Sequence, residues 1–351
     1  MKGRILELDS VRGFAALAIV LAHGQVFGKE MSDNRWVLSA VDLFFVLSSF
    51  LITTLILRYR QEPGFLRAFY LRRFLRIWPP YYVALAVCMV LNRYYLWDDR
   101  AEAWPWYMTF TQNLPYYLRI EPAPMSQMFL HTWTLAIEEQ FYVIWPLLLR
   151  HAGRKRLIAT AVIFVLLPPV LRQYHYLEYL LLTRSDGLGL GAVLALLLYN
   201  EERFKRNLIR FRLAFLLIAG LALTWTTGAS LINGLPQPFF YTRVNLIYFS
   251  LVGLVVSAQG ASYLAILRDK RLCYLGTISY ALYLYHPLVY GAFPQPYRKL
   301  VINDLGFDVK WVEKAVMIGM CFLCAEVSRR FIEAPVLRYK DKLAYRAPRA
   351  A

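Results

Sequence analysis

Ten long apolar stretches divide the chain, and each is close to the length that a helix needs to cross a lipid bilayer. Hydrophobic residues make up 58% of the sequence and charged residues 18%, whereas a soluble domain is about half apolar and about one quarter charged. The sequence therefore predicts an all-α, multi-pass membrane protein with about ten transmembrane helices. The predicted spans are Val11–Gly28, Trp36–Leu57, Pro80–Leu96, Leu130–Leu149, Leu157–Leu171, Thr183–Tyr199, Leu213–Gly228, Phe239–Ala258, Cys273–Phe293 and Trp311–Val327.

Most lysines and arginines lie at the two chain ends and in alternate connections between the stretches. A net charge of +17 over a soluble surface would suggest a nucleic-acid partner, but this clustering is typical of membrane topology. The positive-inside rule predicts that both termini are cytoplasmic. We expect one membrane-embedded domain over residues 1–351 in the cell inner membrane, with a short basic cytoplasmic tail from about residue 339. We expect the protein to be embedded in the lipid bilayer and to bind no nucleic acid.

Several predicted spans contain ionisable side chains, which are costly inside a bilayer, so each of them is a functional candidate. Counting along each helix from its predicted membrane surface places these side chains towards the outer side of the bilayer. We expect five helices to bring them into one layer. The residues are His23, Asp42, Glu138, Glu139, Arg184, Asp186 and His286.

Some of these histidines and carboxylates also have a structural interpretation. His23 and Asp42 could satisfy each other in a buried polar network that serves packing alone. His286 precedes Pro287, so its ring either lines the site or bonds a backbone carbonyl that the proline frees. His131 falls at the end of a span, where we expect it to be solvated. No metal site is expected, because the neighbouring cysteines of the last span lack partner ligands.

Arg12 and His23 share one face of the first predicted helix. They are 11 residues apart, which is about 20° beyond three full helical turns, and their separation along the axis is roughly 16 Å. The two side chains therefore cannot bind the same atom. They could bind two ends of one long ligand with a charged head and a thin reactive arm.

The segment Phe65–Pro79 carries several arginines among aromatic residues just before the third predicted span. If it is helical, Arg72 and Arg76 share a face. One interpretation is an amphipathic interfacial helix that binds anionic lipid. Another is a phosphate clamp, for which guanidinium geometry is well suited. The two interpretations are compatible.

Six motifs in order and in register cover nearly the whole chain from about Leu8 to Arg338. They are Leu8–His23 (LDSVRGFAALAIVLAH), Val41–Thr53 (VDLFFVLSSFLIT), Arg72–Tyr82 (RRFLRIWPPYY), Trp133–Leu149 (WTLAIEEQFYVIWPLLL), Gly276–Val289 (GTISYALYLYHPLV) and Phe331–Arg338 (FIEAPVLR). This set closely resembles acyltransferase family 3, which comprises integral membrane O-acyltransferases of polysaccharides and glycosides that use acyl-CoA. Family members with a fused periplasmic domain are much longer, so we expect any second activity to come from another protein.

The resemblance assigns roles to individual residues of these motifs. It makes His23 the catalytic residue and Arg12 its partner in the first motif. It matches Asp42 to the acidic position of the second motif, Glu138 to the first glutamate of the fourth, and His286 to the histidine of the fifth.

The resemblance also identifies Arg72, Arg73 and Arg76 as the arginines that precede the third span. Two positions depart from the family pattern. Ser49 stands where glycine is usual, and because both residues are small we expect the close helix contact to survive. Ala334 stands where arginine is frequent, which weakens a role for the last motif.

We therefore predict an enzyme that moves an acyl group from cytoplasmic acyl-CoA, expected to be acetyl-CoA, to a hydroxyl of a saccharide or lipid-linked glycan. A hydroxyl is a weak nucleophile and needs a general base. We predict His23 as this base, with Asp42 or Glu138 as the orienting acid. The arginines predicted to hold the CoA phosphates are Arg12, Arg72, Arg73 and Arg76, and the residues predicted to bind the acceptor are Arg184, Asp186 and His286. The alternative is a secondary transporter or glycan permease, against which stands the lack of an inverted repeat.

Overall fold

The computed structural model describes residues 4–29, 34–95, 101–118, 128–174, 179–231, 237–293 and 310–342. Within these ranges the chain forms helices and turns and no β-strand, which confirms the all-α prediction. Ten helices in this part have 18 residues or more: α1 Leu6–His23, α2 Ala40–Tyr59, α3 Phe65–Tyr95, α4 Trp133–Arg150, α5 Arg154–Tyr174, α6 Leu181–Leu198, α7 Leu208–Leu231, α8 Phe240–Ser257, α9 Lys270–Ala292 and α10 Lys310–Ser328. Shorter helical segments are Arg35–Leu38, Ala101–Ala103, Trp104–Met108, Leu114–Tyr117, Leu130–Thr132, Glu201–Arg206, Gln237–Phe239, Ser262–Arg268, Arg329–Glu333 and Ala334–Lys342.

Six of the described helices, α2, α3 and α5 to α8, are long and apolar enough to cross a membrane. They support a multi-pass membrane protein, while the ten-span topology and the cytoplasmic termini stay predictions. The other long helices are more polar. Acidic and basic residues interrupt α1 and α4, and several tyrosines and His286 lower the mean hydropathy of α9. Of the predicted catalytic residues, His23 lies on α1 and Glu138 on α4, whereas Asp42 lies on the apolar helix α2.

The apolar surface lies on helices at the periphery of the bundle. Only 11% of the apolar window of α7 is buried, against 72% for the corresponding windows of α2 and α6. On α5 and α7, Ile163, Leu166, Leu213 and Leu217 are exposed. In a bilayer such side chains contact lipid tails, so α2 and α6 form the centre of the bundle and α5 and α7 its lipid-facing side.

Two close helix contacts fix the geometry of the centre. Helix α1 runs parallel to α9, and a Cβ atom added at Gly13 would lie 2.7 Å from the backbone nitrogen of Gly276. Such backbone-to-backbone contact requires glycine on these faces. Helix α2 runs parallel to α6, where Ser49 donates a hydrogen bond to the carbonyl of Leu188. The expectation that serine preserves the close contact at this position is therefore confirmed.

Helix α3 begins at Phe65, well before the predicted third span at Pro80. The arginine-rich segment joins the span in one continuous helix that contains Pro79 and Pro80, so the hydropathy boundary was wrong. At the other end of the chain, α10 continues through a π-helical turn into a helix over Ala334–Lys342 that packs on α3. The predicted tail from about residue 339 begins inside this helix, and residues 343–351 lie outside the described residues.

Candidate active site

Two histidines from different helices meet in the candidate site. His23 is the last residue of α1, and His286 is completely buried on α9. The Nδ1 atom of His23 lies 2.8 Å from the Nε2 atom of His286, and the two rings are nearly parallel, with an angle of 7° between them. The Nδ1 atom of His286 lies 3.1 Å from the carbonyl oxygen of Leu282. His286 thus bonds His23 and the backbone carbonyl of Leu282, which is not the carbonyl that Pro287 frees, since a proline leaves unpaired the carbonyl four residues before it.

This hydrogen-bond chain fixes which ring nitrogens carry protons. The Leu282 carbonyl can only accept, so Nδ1 of His286 is the donor in that bond. In a neutral His286 the Nε2 atom then accepts, which makes Nδ1 of His23 the donor across the 2.8 Å contact. The Nε2 atom of His23 is left with a free lone pair. His23 therefore presents a basic nitrogen on the side away from His286.

A cavity of about 710 Å³ opens beside His23. We call it the histidine cavity, and its walls include His23, Val41, Asp42, His131, Arg184 and Tyr283. Trp133 and Tyr241 add aromatic surface. Mixed aromatic and polar walls of this kind are typical of sites for small molecules.

The position of His131 differs from the sequence expectation. Both of its ring nitrogens are buried, and its ring centroid lies 5.3 Å from that of His286, so the expectation of a solvated side chain is wrong. The 3₁₀ turn Leu130–Thr132 folds into the bundle before α4 begins. There the backbone oxygen of His131 accepts a hydrogen bond of 2.9 Å from the hydroxyl of Tyr283. The proximity of His131 to the motif that carries Glu138 is the sequence signal that could have identified it.

Asp42 does not contact His23 in the described structure. Both oxygens of this completely buried carboxylate accept hydrogen bonds from Nη2 of Arg184, at 2.8 and 2.9 Å. The guanidinium of Arg184 also stacks on the ring of Tyr241, 3.7 Å from its centroid. Burial is the physical reason for this pairing, because an ionised carboxylate without a cation is very costly in an apolar interior. His286, and not Asp42, is hydrogen-bonded to His23.

Asp186 belongs to a second buried ion pair. It accepts hydrogen bonds from Nη2 of Arg172 at 2.9 Å and from the hydroxyl of Thr242 at 2.7 Å. The side chains of Arg172 and Asp186 are inaccessible to solvent, so Asp186 does not reach the cavity surface where we predicted acceptor binding. Asn245 lies between the two pairs and donates to both Asp42 and Asp186. Arg172 was missed because it falls one residue beyond the predicted fifth span.

A second and much smaller cavity, of about 70 Å³, lies deeper in the bundle. We call it the arginine cavity, and its charged walls are Arg12, Arg73, Arg76, Glu138 and Glu139. Three guanidinium groups against two carboxylates give it an excess of positive charge. The cavity is thus suited to an anionic group, in agreement with the phosphate-clamp interpretation.

The two glutamates of this cavity are held by neighbouring side chains. Glu138 accepts hydrogen bonds from the hydroxyls of Ser48 at 2.8 Å and Tyr142 at 3.1 Å. Glu139 accepts from the indole nitrogen of Trp78 at 3.1 Å. Glu138 therefore faces α2 in the arginine cavity. One of our two alternatives had Glu138 orient His23, and the structure does not place it there.

The arginines of α3 do not all face the same way. Arg73 and Arg76, three residues apart, line the arginine cavity, whereas Arg72 is not among its walls. At about 100° per residue Arg76 lies between Arg72 and Arg73 around the helix, so Arg72 shares a face with Arg76, as predicted, but lies about 100° from Arg73 and outside the arc that lines the cavity. The guanidinium of Arg73 lies 5.3 Å from the ring centroid of Tyr142. The four predicted phosphate ligands are thus reduced to the three that share this cavity.

Glu333, in the π-helical turn after α10, interacts electrostatically with Arg76. Only 7% of Glu333 is exposed. Burial raises the pKa of its carboxyl to about 7, while the charge of Arg76 acts in the opposite direction. The turn thus adds a titratable group beside the arginine cavity.

Arg12 and His23 connect the two cavities. They lie on one face of α1, as the spacing predicted, with Arg12 in the wall of the arginine cavity and His23 in the wall of the histidine cavity. A thin ligand that extends from one cavity into the other would contact both residues.

The chain is similar to known proteins along most of its length. Residues 5–332 match a family model described as an acyltransferase domain. YrhL of Bacillus subtilis, which carries a provisional name as a peptidoglycan O-acetyltransferase, is 30% identical over 94% of this chain and 54% of its own length. The peptidoglycan O-acetyltransferase OatA of Listeria monocytogenes is 29% identical over 94% of this chain and 55% of its own. The O-acetyltransferase OatA of Staphylococcus aureus is 28% identical over 94% of this chain and 56% of its own length.

The chain therefore spans about half the length of the curated relatives it matches. No solved structure matches it.

Proposed function

The chain belongs to this family of acyltransferases, and we propose that it is a membrane O-acetyltransferase that uses acetyl-CoA and a saccharide hydroxyl. The observation that carries the proposal is the hydrogen bond between His23 and His286 in the wall of the histidine cavity. A positioned neutral imidazole is a suitable general base for a hydroxyl nucleophile. The names of the relatives support acetyl as the group transferred and peptidoglycan as the acceptor. We propose a lipid-linked glycan as a further acceptor.

His23 acts on the acceptor through its free Nε2 atom. This atom takes the hydroxyl proton while the acceptor oxygen attacks the thioester carbonyl carbon, so that the new C–O bond forms and the C–S bond breaks. The proton then passes from His23 to the departing thiolate, which leaves as free CoA. His286 holds Nδ1–H of His23 throughout and stabilises the imidazolium that forms transiently. Its role corresponds to that of the aspartate in a serine hydrolase triad.

The arginine cavity binds the donor. Arg12, Arg73 and Arg76 provide guanidinium groups that suit the phosphates of CoA, which form charge-assisted hydrogen bonds with arginine. A volume of about 70 Å³ excludes the nucleotide and leaves room for a thin chain only. We therefore place the nucleotide at the mouth of this cavity and the pantetheine arm inside it.

The histidine cavity binds the acceptor. Trp133 and Tyr241 offer flat apolar surfaces to a sugar ring, and Arg184 offers a guanidinium group at the cavity wall. The cavity is about ten times larger than the arginine cavity, which agrees with a bulky saccharide on this side.

The test uses purified protein, acetyl-CoA and peptidoglycan fragments that carry no O-acetyl groups. We expect release of free thiol together with an added acetyl mass on the fragments, and neither product with His23→Ala. Failure to release thiol and to acetylate the fragments would refute the proposal. Uptake of the fragments into sealed vesicles without acetyl-CoA would instead support the permease alternative.

A further inference from the structure

Val41 and Tyr283 are the residues that the two cavities have in common, within the part of the chain that the structure describes. Val41 lies in the first turn of α2, and Tyr283 lies on α9 one turn before His286. Every other described wall residue belongs to one cavity alone. The side chains of Val41 and Tyr283 therefore form a rim where the arginine cavity meets the histidine cavity.

We propose that this rim selects the acyl group, so that a short uncharged acyl chain reaches His23 and a longer or charged chain is excluded. The inference rests on the proposed function, because it requires a thioester that enters from the arginine cavity. The acyl group is at the tip of the CoA arm. It must therefore cross the rim before its carbonyl carbon comes within reach of His23.

Tyr283 is held in place from two directions. Its hydroxyl donates a hydrogen bond of 2.9 Å to the backbone oxygen of His131, in the wall of the histidine cavity. The same hydroxyl lies 2.7 Å from Oγ1 of Thr134, in the wall of the arginine cavity. Only 7% of Tyr283 is exposed. Moving the ring aside would break both bonds, so this half of the rim does not widen readily.

Val41 is fixed by its neighbour and by its own shape. The next residue, Asp42, is bound through both carboxylate oxygens to Arg184, which anchors the first turn of α2. A branched Cβ atom also leaves valine few side-chain rotamers. Both halves of the rim are thus rigid, and a rigid opening discriminates by size.

Charge adds to this discrimination. Neither Val41 nor Tyr283 carries a formal charge, so a carboxylate at the end of an acyl chain would lose water at the rim without a cation to replace it. We therefore expect acetyl to be accepted, propionyl to be poor, and succinyl to be rejected.

The experiment measures kcat/KM with acetyl-CoA, propionyl-CoA and succinyl-CoA for the wild-type protein, Val41→Ala and Val41→Ile. A pocket usually discriminates against one extra methylene by about 10- to 200-fold. We expect Val41→Ala to lower the ratio of acetyl to propionyl transfer at least about tenfold, and Val41→Ile to raise it. The matched control is Leu38→Ala, which enlarges the histidine cavity at a residue that does not line the arginine cavity and should leave the ratio unchanged.

The outcomes that would contradict the inference differ from the one that would refute the proposed function. If Val41→Ala and Val41→Ile keep the wild-type ratio, the rim does not select the acyl group. An equal change in Leu38→Ala would also overturn the inference, because the whole cavity would then set the preference. If Val41→Ala does not fold, Val41→Ile still decides, since it changes the rim in the opposite direction. A wild-type protein that transfers no acyl group from any thioester would refute the proposed function itself.

Discussion

Replacing His286 tests the assignment of His23 as a base that depends on a neutral partner. His286→Ala removes the acceptor of the 2.8 Å hydrogen bond from Nδ1 of His23 and leaves His23 itself in place. The imidazole of His23 can then adopt either tautomer or rotate, so that Nε2 is no longer fixed as the basic atom. His286→Gln is the matched variant, because a glutamine side-chain oxygen can accept the same hydrogen bond. We expect a large loss of acetyl transfer in the first variant and partial retention in the second.

The size of the loss follows from the charge that develops on His23. A hydrogen bond to a charged group contributes about 1.5–3 kcal/mol, which corresponds to about 10- to 150-fold in rate. Removing the general base itself costs on the order of 10²–10⁴-fold. We therefore expect the rates to fall in the order wild type, His286→Gln, His286→Ala, His23→Ala.

The assay is the initial rate of thiol release from saturating acetyl-CoA with unacetylated peptidoglycan fragments. Because His286 is completely buried, each variant must first elute as a monodisperse peak in gel filtration. The double variant His23→Ala/His286→Ala should be scarcely slower than His23→Ala, since residues that act as one unit are not additive. A wild-type rate for His286→Ala, or losses that multiply in the double variant, would refute the role of His286 as the residue that orients His23.

Three other regions allow separate tests. Arg73→Gln should weaken CoA binding about 10- to 150-fold in calorimetry, because it removes one charge-assisted hydrogen bond. Arg72→Gln, outside the cavity, should leave CoA binding unchanged. Equal effects of the two variants would favour the lipid-anchor interpretation. Asp42→Ala should lower the free energy of unfolding by about 3–5 kcal/mol, because it leaves Arg184 buried without its counterion. The double variant Asp42→Ala/Arg184→Leu should recover part of the lost stability. Burial raises the pKa of Glu333 from 4.5 to about 7, so its protonated form is favoured by folding and stability should fall as pH rises through that window. Thermal melts of Glu333→Gln should lack this slope, and an unchanged slope would place the titration elsewhere.

The helices could be predicted from hydropathy, but their ends could not. Helix α1 begins at Leu6, before the predicted span at Val11, because charged residues in its first turns find partners inside the protein. Glu7 is buried and accepts a hydrogen bond of 2.9 Å from Arg268. A hydropathy window counts Glu7 as a break in the helix, whereas an ion pair allows the helix to continue. The early start of α3 has a different cause: arginine has a high helix propensity, so the arginines before the apolar window do not interrupt the helix.

The partner towards which each polar side chain points could not be predicted from the sequence. Depth along the helices correctly identified His23, Asp42 and Arg184 as neighbours of one cavity. The partner of each residue depends on which helices touch, and that depends on contacts such as Gly13 against Gly276. That contact brings α1 against α9 and His23 against His286. Without it, Asp42 was an equally reasonable partner for His23.

The two aspartate–arginine pairs explain why a histidine, and not a carboxylate, stands next to His23. An aspartate bonded to His23 in a dry interior would stabilise the charged imidazolium before the acceptor arrives, and a ring that is already protonated cannot accept the hydroxyl proton. Arg184 and Arg172 neutralise the two buried aspartates on the far side of the cavity. His286 can orient His23 as a neutral acceptor, so the bond strengthens only when His23 becomes charged during the reaction. An interaction that is stronger in the transition state than in the ground state accelerates the chemical step, which is the advantage of this arrangement over a buried carboxylate.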